Sequence, residues 1–386
     1  MGRRAFVVVL DACGVGALPD AADYGDAGAN TLGHLAERLG GLDLPCLGSL
    51  GLGSVLPLAG VPPSREPAIH GRLHAVGPGK DSTTGHWELM GVVPREAPPT
   101  YPDGFPPDVV ATIERLAGAQ PLCNRPYNGI AAIADFGAEH LATGRPILYT
   151  SQDSVLQVAA HVGVLPEADL HALCERIRGA LEPPHAVGRV IARPFDGEPG
   201  AFSRTAGRRD LSLPLPHASH LDTLRERGVP VHAVGKVADL FAGRGIDECH
   251  PGATNAEALA HTTRLLEELD DGLVFANLID TDQVHGHRKD RDGFHASLRE
   301  ADQCVAAWID RLRPGDLVVL TSDHGVDMDA DHTDHTREHA FLLATGPGVS
   351  GRRHDGPLAD VGATAVRWLT GRDAEGPGRP FVTSLD

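Results

Sequence analysis

Residues 5–11, AFVVVLD, form a run of six apolar side chains that ends at a single carboxylate, Asp11. The pattern returns at residues 273–279 and 317–320, where apolar runs again lead into acidic residues and histidines. Such unbroken runs are typical of strands buried on both faces of a parallel sheet. Because helical patterns lie between the runs, we predict a doubly wound α/β core. These helical patterns occupy residues 31–39, 256–269 and 295–311.

Two proline-rich segments, residues 94–107 and 211–217, divide the chain. A length of 386 residues exceeds what one hydrophobic core usually covers, so two domains are expected. Proline-rich segments of this kind are typical of linkers. We predict a metal-binding catalytic core made of residues 1–95 and 216–386, with residues 96–215 inserted between them as a smaller α/β cap domain.

The composition limits the possible partners. The chain carries 34 Lys and Arg against 52 Asp and Glu, a formal net charge of −18, which argues against nucleic acid and anionic membranes as partners. A small molecule is expected instead, and a phosphate would need local positive charge from metal ions or clustered arginines. The six cysteines form no CxxC pair, so we expect reduced thiols in the core.

The N-terminal apolar run ends after six residues, which is too short for the apolar segment of an export signal. No stretch of the sequence is long enough to span a bilayer. We therefore expect a cytoplasmic location, while the sequence leaves the oligomeric state open.

Acidic residues and histidines follow each of the three predicted strands. The second strand leads into DTDQVHGHRKD, residues 280–290, and the third into TSDHGVDMDADHTDHTRE, residues 321–338. In doubly wound folds ligands bind beyond the carboxyl ends of the strands. Imidazole and carboxylate without thiolate suit manganese, zinc or iron. The candidate metal ligands are Asp11, Asp282, His287, Asp323, His324 and His335.

The segment GKDSTTGHWE, residues 79–88, is predicted to open a helix after a turn. The amide groups at a helix start bind anions, and a hydroxyl group there is well placed to attack phosphorus. Two metal ions would lower the pKa of such a hydroxyl, which makes Ser82 the candidate nucleophile. Each residue also has a plainer interpretation, because an acid after a strand, such as Asp11, is often a helix cap and Ser82 could be an N-cap.

These residues resemble, in order and spacing, the two-metal site of the alkaline phosphatase superfamily. Longer motifs spread over nearly the whole chain resemble the phosphopentomutase family within it. The motifs are PDAADYGDAGANTLGH, TGHWELMG, YTSQDSVLQVAAH, GRVIARPFDGEPGAFSRT, VGKVADLF and TDHTRE.

The resemblance implies exchange of ribose or deoxyribose 1-phosphate with the 5-phosphate, through a phosphoenzyme and a sugar bisphosphate that also acts as activator. It implies two divalent cations, with manganese expected. One would be held by Asp282, His287 and His335, and the other by Asp11, Asp323, His324 and Ser82. Substrate contacts are implied for Asp153, Arg193 and Arg208 in the cap and for Lys236 in the core, since arginine forks fit phosphate.

Three segments depart from the family pattern. Ser82 stands where the family usually has threonine, residues 324–338 contain more acids than its HGNDP segment, and NRPYNGIAAI at residues 124–133 replaces a Ser, Gly, Thr, Glu run. A paralogous mutase on a modified or different pentose phosphate therefore stays open. So does a metal-dependent sugar-phosphate phosphohydrolase, because the hydrolytic members of the superfamily use serine.

The sequence gives less support to a phosphoglycerate mutase, a binding protein or a sulfatase. A metal-dependent phosphoglycerate mutase would be longer and have a different cap, and a binding protein without catalysis would have lost metal ligands. A sulfatase needs a CxPxR type of motif, which this sequence lacks.

Overall fold

The computed structural model describes residues 2–151 and 154–382. The chain divides into two compact units, one made of Met1–Glu96 with Leu215–Asp386 and the other of Ala97–Pro214. Both boundaries lie inside the proline-rich segments. In the described ranges, no helix has the length and apolarity that a bilayer crossing requires.

The strands, in chain order, are β1 (Arg4–Leu10), β2 (Gly14–Ala17), β3 (Ile69–His74), β4 (Leu122–Pro126), β5 (Ile147–Thr150), β6 (Val155–His161), β7 (Arg189–Asp196), β8 (Ser203–Arg204), β9 (Arg209–Ser212), β10 (Val231–Val234), β11 (Glu248–His250), β12 (Gly272–Leu278), β13 (Asp316–Thr321), β14 (Glu338–Thr345) and β15 (Gly356–Pro357).

The α-helices are α1 (Thr31–Leu39), α2 (Pro45–Leu50), α3 (Leu52–Val55), α4 (Ser82–Leu89), α5 (Pro107–Ala117), α6 (Gly129–Thr143), α7 (Glu167–Ala180), α8 (His220–Glu226), α9 (Val237–Leu240), α10 (Asn255–Glu268), α11 (Arg291–Ile309) and α12 (Asp360–Thr370). A π-helical turn covers Thr281–His285, and 3-10 turns cover Ala21–Tyr24 and Gly286–Arg288.

The first unit is built on one large sheet, with the strand order β11-β10-β12-β1-β13-β14-β3-β15 and β2 paired to β14. From β11 to β13 every pairing is parallel, and β14 then runs antiparallel to β13 and β3. The predicted α/β fold class is confirmed. The three predicted strands are β1, β12 and β13, and all are buried along their length because side chains on both faces are covered.

The register of this sheet brings the ends of three strands together. β1 lies between β12 and β13, with Leu10 opposite Leu278 and Val9 opposite Thr321. Because all three strands run in the same direction, the residues that follow them emerge at one edge of the sheet. The Asp11 backbone amide donates to the Leu278 carbonyl at 3.1 Å, which continues the ladder by one residue. Asp11 therefore stands beside both histidine-rich segments.

The second unit has its own sheet, in the order β4-β5-β6-β7-β8 with β9 paired to β7. Helices α5 and α7 cover part of it with a core that includes Ile113, Leu156 and Ile177. A second cluster, centred on Tyr149 and Phe195, lies under α6. This unit therefore has a hydrophobic core of its own.

Two local expectations were wrong. The N-cap of α4 is Asp81, whose carboxylate accepts from the Thr83 and Thr84 amides, so Ser82 is the first helical residue. All six cysteines are free thiols, but Cys249 is exposed and not in the core.

A buried ion pair joins β1 to β13, and its removal should destabilise the first unit. Arg4 donates from Nε and Nη2 to the two carboxylate oxygens of Asp316, at 2.8 and 2.6 Å, and both residues are buried. Asp316→Ala leaves the guanidinium buried without a counter-ion, so we expect a loss of about 3 kcal/mol in the free energy of unfolding. Urea denaturation followed by circular dichroism measures it.

The matched control is Glu267→Ala, which removes the exposed partner of Arg311. Exposed pairs contribute about 0–1 kcal/mol, so its unfolding midpoint should stay close to that of the parent. Equal unfolding midpoints for the two variants would show that the buried ion pair contributes no more to stability than the exposed pair.

Candidate active site

Ser82 is held between two candidate ligands at the start of α4. Its hydroxyl donates to Asp11 Oδ1 at 3.2 Å and lies 3.1 Å from His324 Nε2. The reciprocal capping box formed by Asp81 and Thr84 fixes the first turn of the helix. The structure therefore places the predicted nucleophile against two residues that come from the ends of β1 and β13.

Asp282, His287 and His335 form a second group of converging ligand atoms. Asp282 Oδ1 is 3.4 Å from His287 Nε2 and 3.4 Å from His335 Nε2. His287 Nδ1 donates to the Thr333 carbonyl at 2.6 Å. This hydrogen bond orients the ring so that Nε2 faces Asp282, as a neutral metal-binding imidazole requires.

Asp323 and His324 follow β13. Asp323 Oδ1 accepts from the amides of Ala12 and His324, each at 3.1 Å, and its Oδ2 lies 3.5 Å from His324 Nε2. His324 Nδ1 donates to the Gly325 carbonyl at 3.0 Å. As with His287, Nε2 is then the ring atom that faces the site.

Two ligand groups result, and they share one carboxylate. Asp282, His287 and His335 make one group, and Asp11, Asp282 and His324 make the other, with the ligand atoms of each group within 4.8 Å of one another. Ligand atoms that share a divalent cation at about 2.0–2.2 Å lie roughly 3–3.5 Å apart. The 3.4 Å distances from Asp282 Oδ1 to His287 Nε2 and His335 Nε2 meet this requirement, as does the 3.2 Å between Asp11 Oδ1 and His324 Nε2.

Two atoms in the first group also lack hydrogen-bond partners. Among the described residues, Asp282 Oδ1 and His335 Nε2 are buried without one. Unpartnered buried polar atoms are costly and uncommon, and here they face each other. A divalent cation fits this arrangement of donors.

Burial and neighbouring charges shift the pKa values of the ionisable groups in the site. Burial, followed by the charge of Asp323, raises the pKa of Asp11. Burial lowers the pKa of His324, but Asp323 and Asp11 outweigh it and hold that pKa well above its usual range. Burial likewise opposes ionisation of Asp282, yet His335 and His287 hold the pKa of this carboxyl well below its usual range. Positive charge therefore offsets the burial of Asp282, a role that divalent cations would also fill.

Sequence reasoning missed two buried residues that support the site. His86 Nδ1 lies 2.8 Å from the Ser82 carbonyl and 3.0 Å from Asp323 Oδ2. Asn277 Nδ2 donates to Asp11 Oδ2 at 2.7 Å and lies 3.2 Å from His86 Nε2. Signals for both exist, since His86 follows Ser82 by one helical turn and Asn277 is a polar residue inside an apolar strand.

Lys236 immediately precedes α9 and lies next to the Asp282 turn. Its ammonium group donates to Gln283 Oε1 at 2.7 Å. Gln283 follows Asp282 in the π-helical turn. The structure therefore brings this predicted substrate contact close to the predicted metal ligands in the same unit.

The second unit contains a cluster of arginines around a buried tyrosine. Arg193 and Arg208 are the predicted substrate contacts, and the structure adds Arg204 and Tyr149 to them. Burial, followed by the charge of Arg208, lowers the pKa of Arg193 to about 10. Burial raises the pKa of the Tyr149 hydroxyl, and the positive charges of Arg193, Arg204 and Arg208 oppose this shift. Asp153, another predicted contact, lies outside the described residues.

Asp210 partly neutralises this cluster. Arg208 donates to both of its carboxylate oxygens, each at 2.6 Å. Tyr149 Oη is buried and, in the described part of the chain, has no hydrogen-bond partner. A Cβ atom on Gly129, the first residue of α6, would collide with Arg204 Nη2 and would lie 2.6 Å from Tyr149 Oη. The bare glycine thus allows both groups to approach the helix start, and together they form an excess of donors suited to an anion.

Comparison with known proteins places these observations in a family context. The metalloenzyme superfamily profile matches residues 3–370. A phosphopentomutase of Anaeromyxobacter dehalogenans strain 2CP-1 is 49% identical over 377 residues, covering 96% of this chain and 96% of that protein. One from Caldanaerobacter subterraneus is 45% identical over 369 residues, covering 94% and 93%.

Among solved structures, a phosphoglycerate mutase of Leishmania mexicana aligns with a TM-score of 0.51 at 13% identity, covering 100% of this chain and 98% of that one. At this level of identity the similarity concerns the fold alone.

Proposed function

Because the chain belongs to the metalloenzyme superfamily and, within it, to the phosphopentomutases, we propose that it interconverts the 1-phosphate and the 5-phosphate of ribose or deoxyribose. The observation that carries this proposal is the position of Ser82. Its hydroxyl group lies at a helix start, within hydrogen-bonding distance of Asp11 and His324. A phosphate on this oxygen would lie beside the candidate cation ligands.

The family is one of metal-dependent enzymes, and the two ligand groups fit divalent cations. We propose manganese, held by Asp282, His287 and His335 in one site and by Asp11, Asp323, His324 and Ser82 in the other. When bound, the cations would neutralise phosphate oxygens and lower the pKa of the Ser82 hydroxyl.

The proposed cycle begins with Ser82 phosphorylated by a sugar bisphosphate activator. The phosphoserine gives its phosphoryl group to the free hydroxyl of the pentose phosphate, and a pentose bisphosphate forms. The bisphosphate then turns, and Ser82 Oγ accepts the phosphoryl group from its other end. His86 and Asn277 hold Asp323 and Asp11 in place, which keeps the nucleophile oriented through both transfers.

The second unit is proposed to act as a cap that contributes to substrate binding through Arg193, Arg208 and Asp153. Lys236, from the first unit, is proposed as a further substrate contact. Arg204 and Tyr149 extend this set of contacts, because both lie at the start of α6 beside Gly129.

Two competing functions have specific support. Ser82, in place of the usual threonine, favours phosphate ester hydrolysis. The altered segment at residues 124–133 favours a modified or different pentose. Its Asn128 caps α6, and Gly129 lies against Arg204. This segment therefore forms part of the arginine cluster.

Arg204→Met should weaken substrate binding. A charge-assisted hydrogen bond contributes about 1.5–3 kcal/mol, so we expect kcat/KM to fall by roughly 10- to 150-fold, mainly through KM. Steady-state kinetics with ribose 5-phosphate measures the effect. Arg209→Met is the control, because Arg209 pairs with Glu175 on the surface at 2.8 Å. Equal KM values for the two variants would exclude Arg204 from phosphate binding.

Phosphorus NMR tests the reaction directly. The manganese-loaded protein is incubated with ribose 5-phosphate and a trace of sugar bisphosphate, and then freed of metal before the spectrum is recorded. Growth of the 1-phosphate signal without free phosphate supports the mutase. Free phosphate alone would identify a phosphohydrolase, and no change with this sugar but turnover of another pentose phosphate would identify the paralogous mutase.

A further inference from the structure

One edge of the large sheet carries three possible metal ligands that the proposed mechanism does not use. His232 on β10 lies opposite Glu248 on β11, and His250 follows Glu248 by two residues. Residues two apart on a strand share a face, and residues opposite each other on paired strands are neighbours. The register therefore brings the three side chains together.

The distances between their polar atoms are those of a shared ligand sphere. His232 Nδ1 lies 3.1 Å from His250 Nε2 and 3.6 Å from Glu248 Oε2, and the last two atoms are 3.9 Å apart. Ligands of a tetrahedral zinc ion, each at about 2.0–2.2 Å from the metal, lie roughly 3.3 Å from one another. Small side-chain movements would bring all three atoms to this spacing.

We propose that His232, Glu248 and His250 form a third cation site, which shares no residue with the two candidate ligand groups of the active site and binds a zinc ion. Two imidazoles and a carboxylate suit zinc better than calcium or magnesium, which prefer oxygen ligands alone. Three protein ligands leave one position for water, so the ion is exchangeable and not locked in a closed structural site.

Burial and nearby charges at the proposed cation site affect its two histidines. His232 is almost fully buried, and the His250 and His232 rings are nearly parallel. Burial, followed by the charges of His232 and Arg264, lowers the pKa of His250.

Arg264 competes with the cation. Its Nη2 lies 3.3 Å from His250 Nδ1 and 3.2 Å from His261 Nδ1. Cation binding at His250 Nε2 places the ring proton on Nδ1, so the half-exposed Arg264 side chain must turn toward water. Removing this charge should therefore strengthen zinc binding.

Zinc content of the full-length protein tests the proposal. The metal-stripped protein and the variants His232→Gln and His250→Asn are dialysed against a saturating zinc buffer and analysed by mass spectrometry. His261→Asn is the matched control, because it removes a neighbouring imidazole from outside the group. We expect both ligand variants to bind about one zinc ion fewer per chain than the parent and the control.

A zinc titration of Arg264→Gln is expected to show the opposite effect, with half-occupancy reached at a several-fold lower zinc concentration than in the parent. Anomalous scattering at the zinc edge from soaked crystals should show a peak between His232 and His250. Equal zinc content in the parent and both ligand variants, with folding confirmed by circular dichroism, would overturn the proposal. None of these measurements uses enzyme activity. A negative result for the proposed function would therefore not contradict the proposed zinc site.

Discussion

Ser82→Ala is expected to lower turnover by about 10⁴-fold or more while the variant still folds and binds metal, because removal of a nucleophile eliminates the covalent route. The alanine keeps α4 intact, since the N-cap is Asp81 and not Ser82. Retention of the candidate ligands Asp11 and His324 preserves most of the metal-binding group. Mutase activity and metal content, measured on the same preparation, separate a chemical defect from a binding defect.

Two further variants define the role of the Ser82 hydroxyl. Thr83→Ala removes the adjacent hydroxyl in the same turn and should retain most of the activity. Ser82→Thr restores the residue that is usual in the family and should remain active, with less phosphate release if serine favours hydrolysis. An active Ser82→Ala variant would remove Ser82 from the mechanism.

Asp282→Asn is expected to lower activity by about 10³-fold, which corresponds to roughly 4 kcal/mol of lost transition-state stabilisation. Asp282 is a ligand of the first proposed cation, and its carboxylate also lies within 4.8 Å of the ligand atoms of Asp11 and His324, so one substitution changes the charge around both cation sites. Asparagine keeps the size of the side chain but lacks the negative charge of the Asp282 carboxylate, which lies 3.4 Å from His287 Nε2 and from His335 Nε2. Metal content should fall together with activity, and added manganese should recover only part of each.

Asp290→Asn is the control for this variant. Asp290 lies in the same segment and caps α11 by accepting from the Gly293 amide at 3.1 Å, a bond that asparagine can also make. Activity within about twofold of the parent is expected for a change at such an exposed cap. If Asp282→Asn behaved like this control, the proposed role of Asp282 as a metal ligand would be wrong.

The sequence predicted the part of the fold that depends on burial. β1, β12 and β13 are covered on both faces, so their residues form unbroken apolar runs that can be recognised without a structure. The antiparallel addition of β14 and β3 could not be predicted in this way. These strands are placed by long-range pairing, as between Leu342 and Gly71, and no local pattern encodes it.

The residues of the candidate site could likewise be predicted only in part from the sequence. Ligands at strand ends were predicted because parallel strands deliver their carboxyl ends to one edge. The supporting contacts of Asn277 and His86 required coordinates, since they depend on which face of a strand or helix meets Asp11 and Asp323. The arginine cluster was predicted only in part, because Arg204 joins it through the fold of β8 against β7.

The close approach of Arg204 and Tyr149 to Gly129 also predicts which residues homologues can carry at positions 129 and 204. Any side chain at position 129 would collide with both groups. A lineage that acquires one must redirect or replace the flexible Arg204 side chain, so the two positions should covary among homologues. Sequences with alanine or larger residues at 129 and arginine retained at 204 should be rare, and they would mark descendants whose anion recognition has been rebuilt.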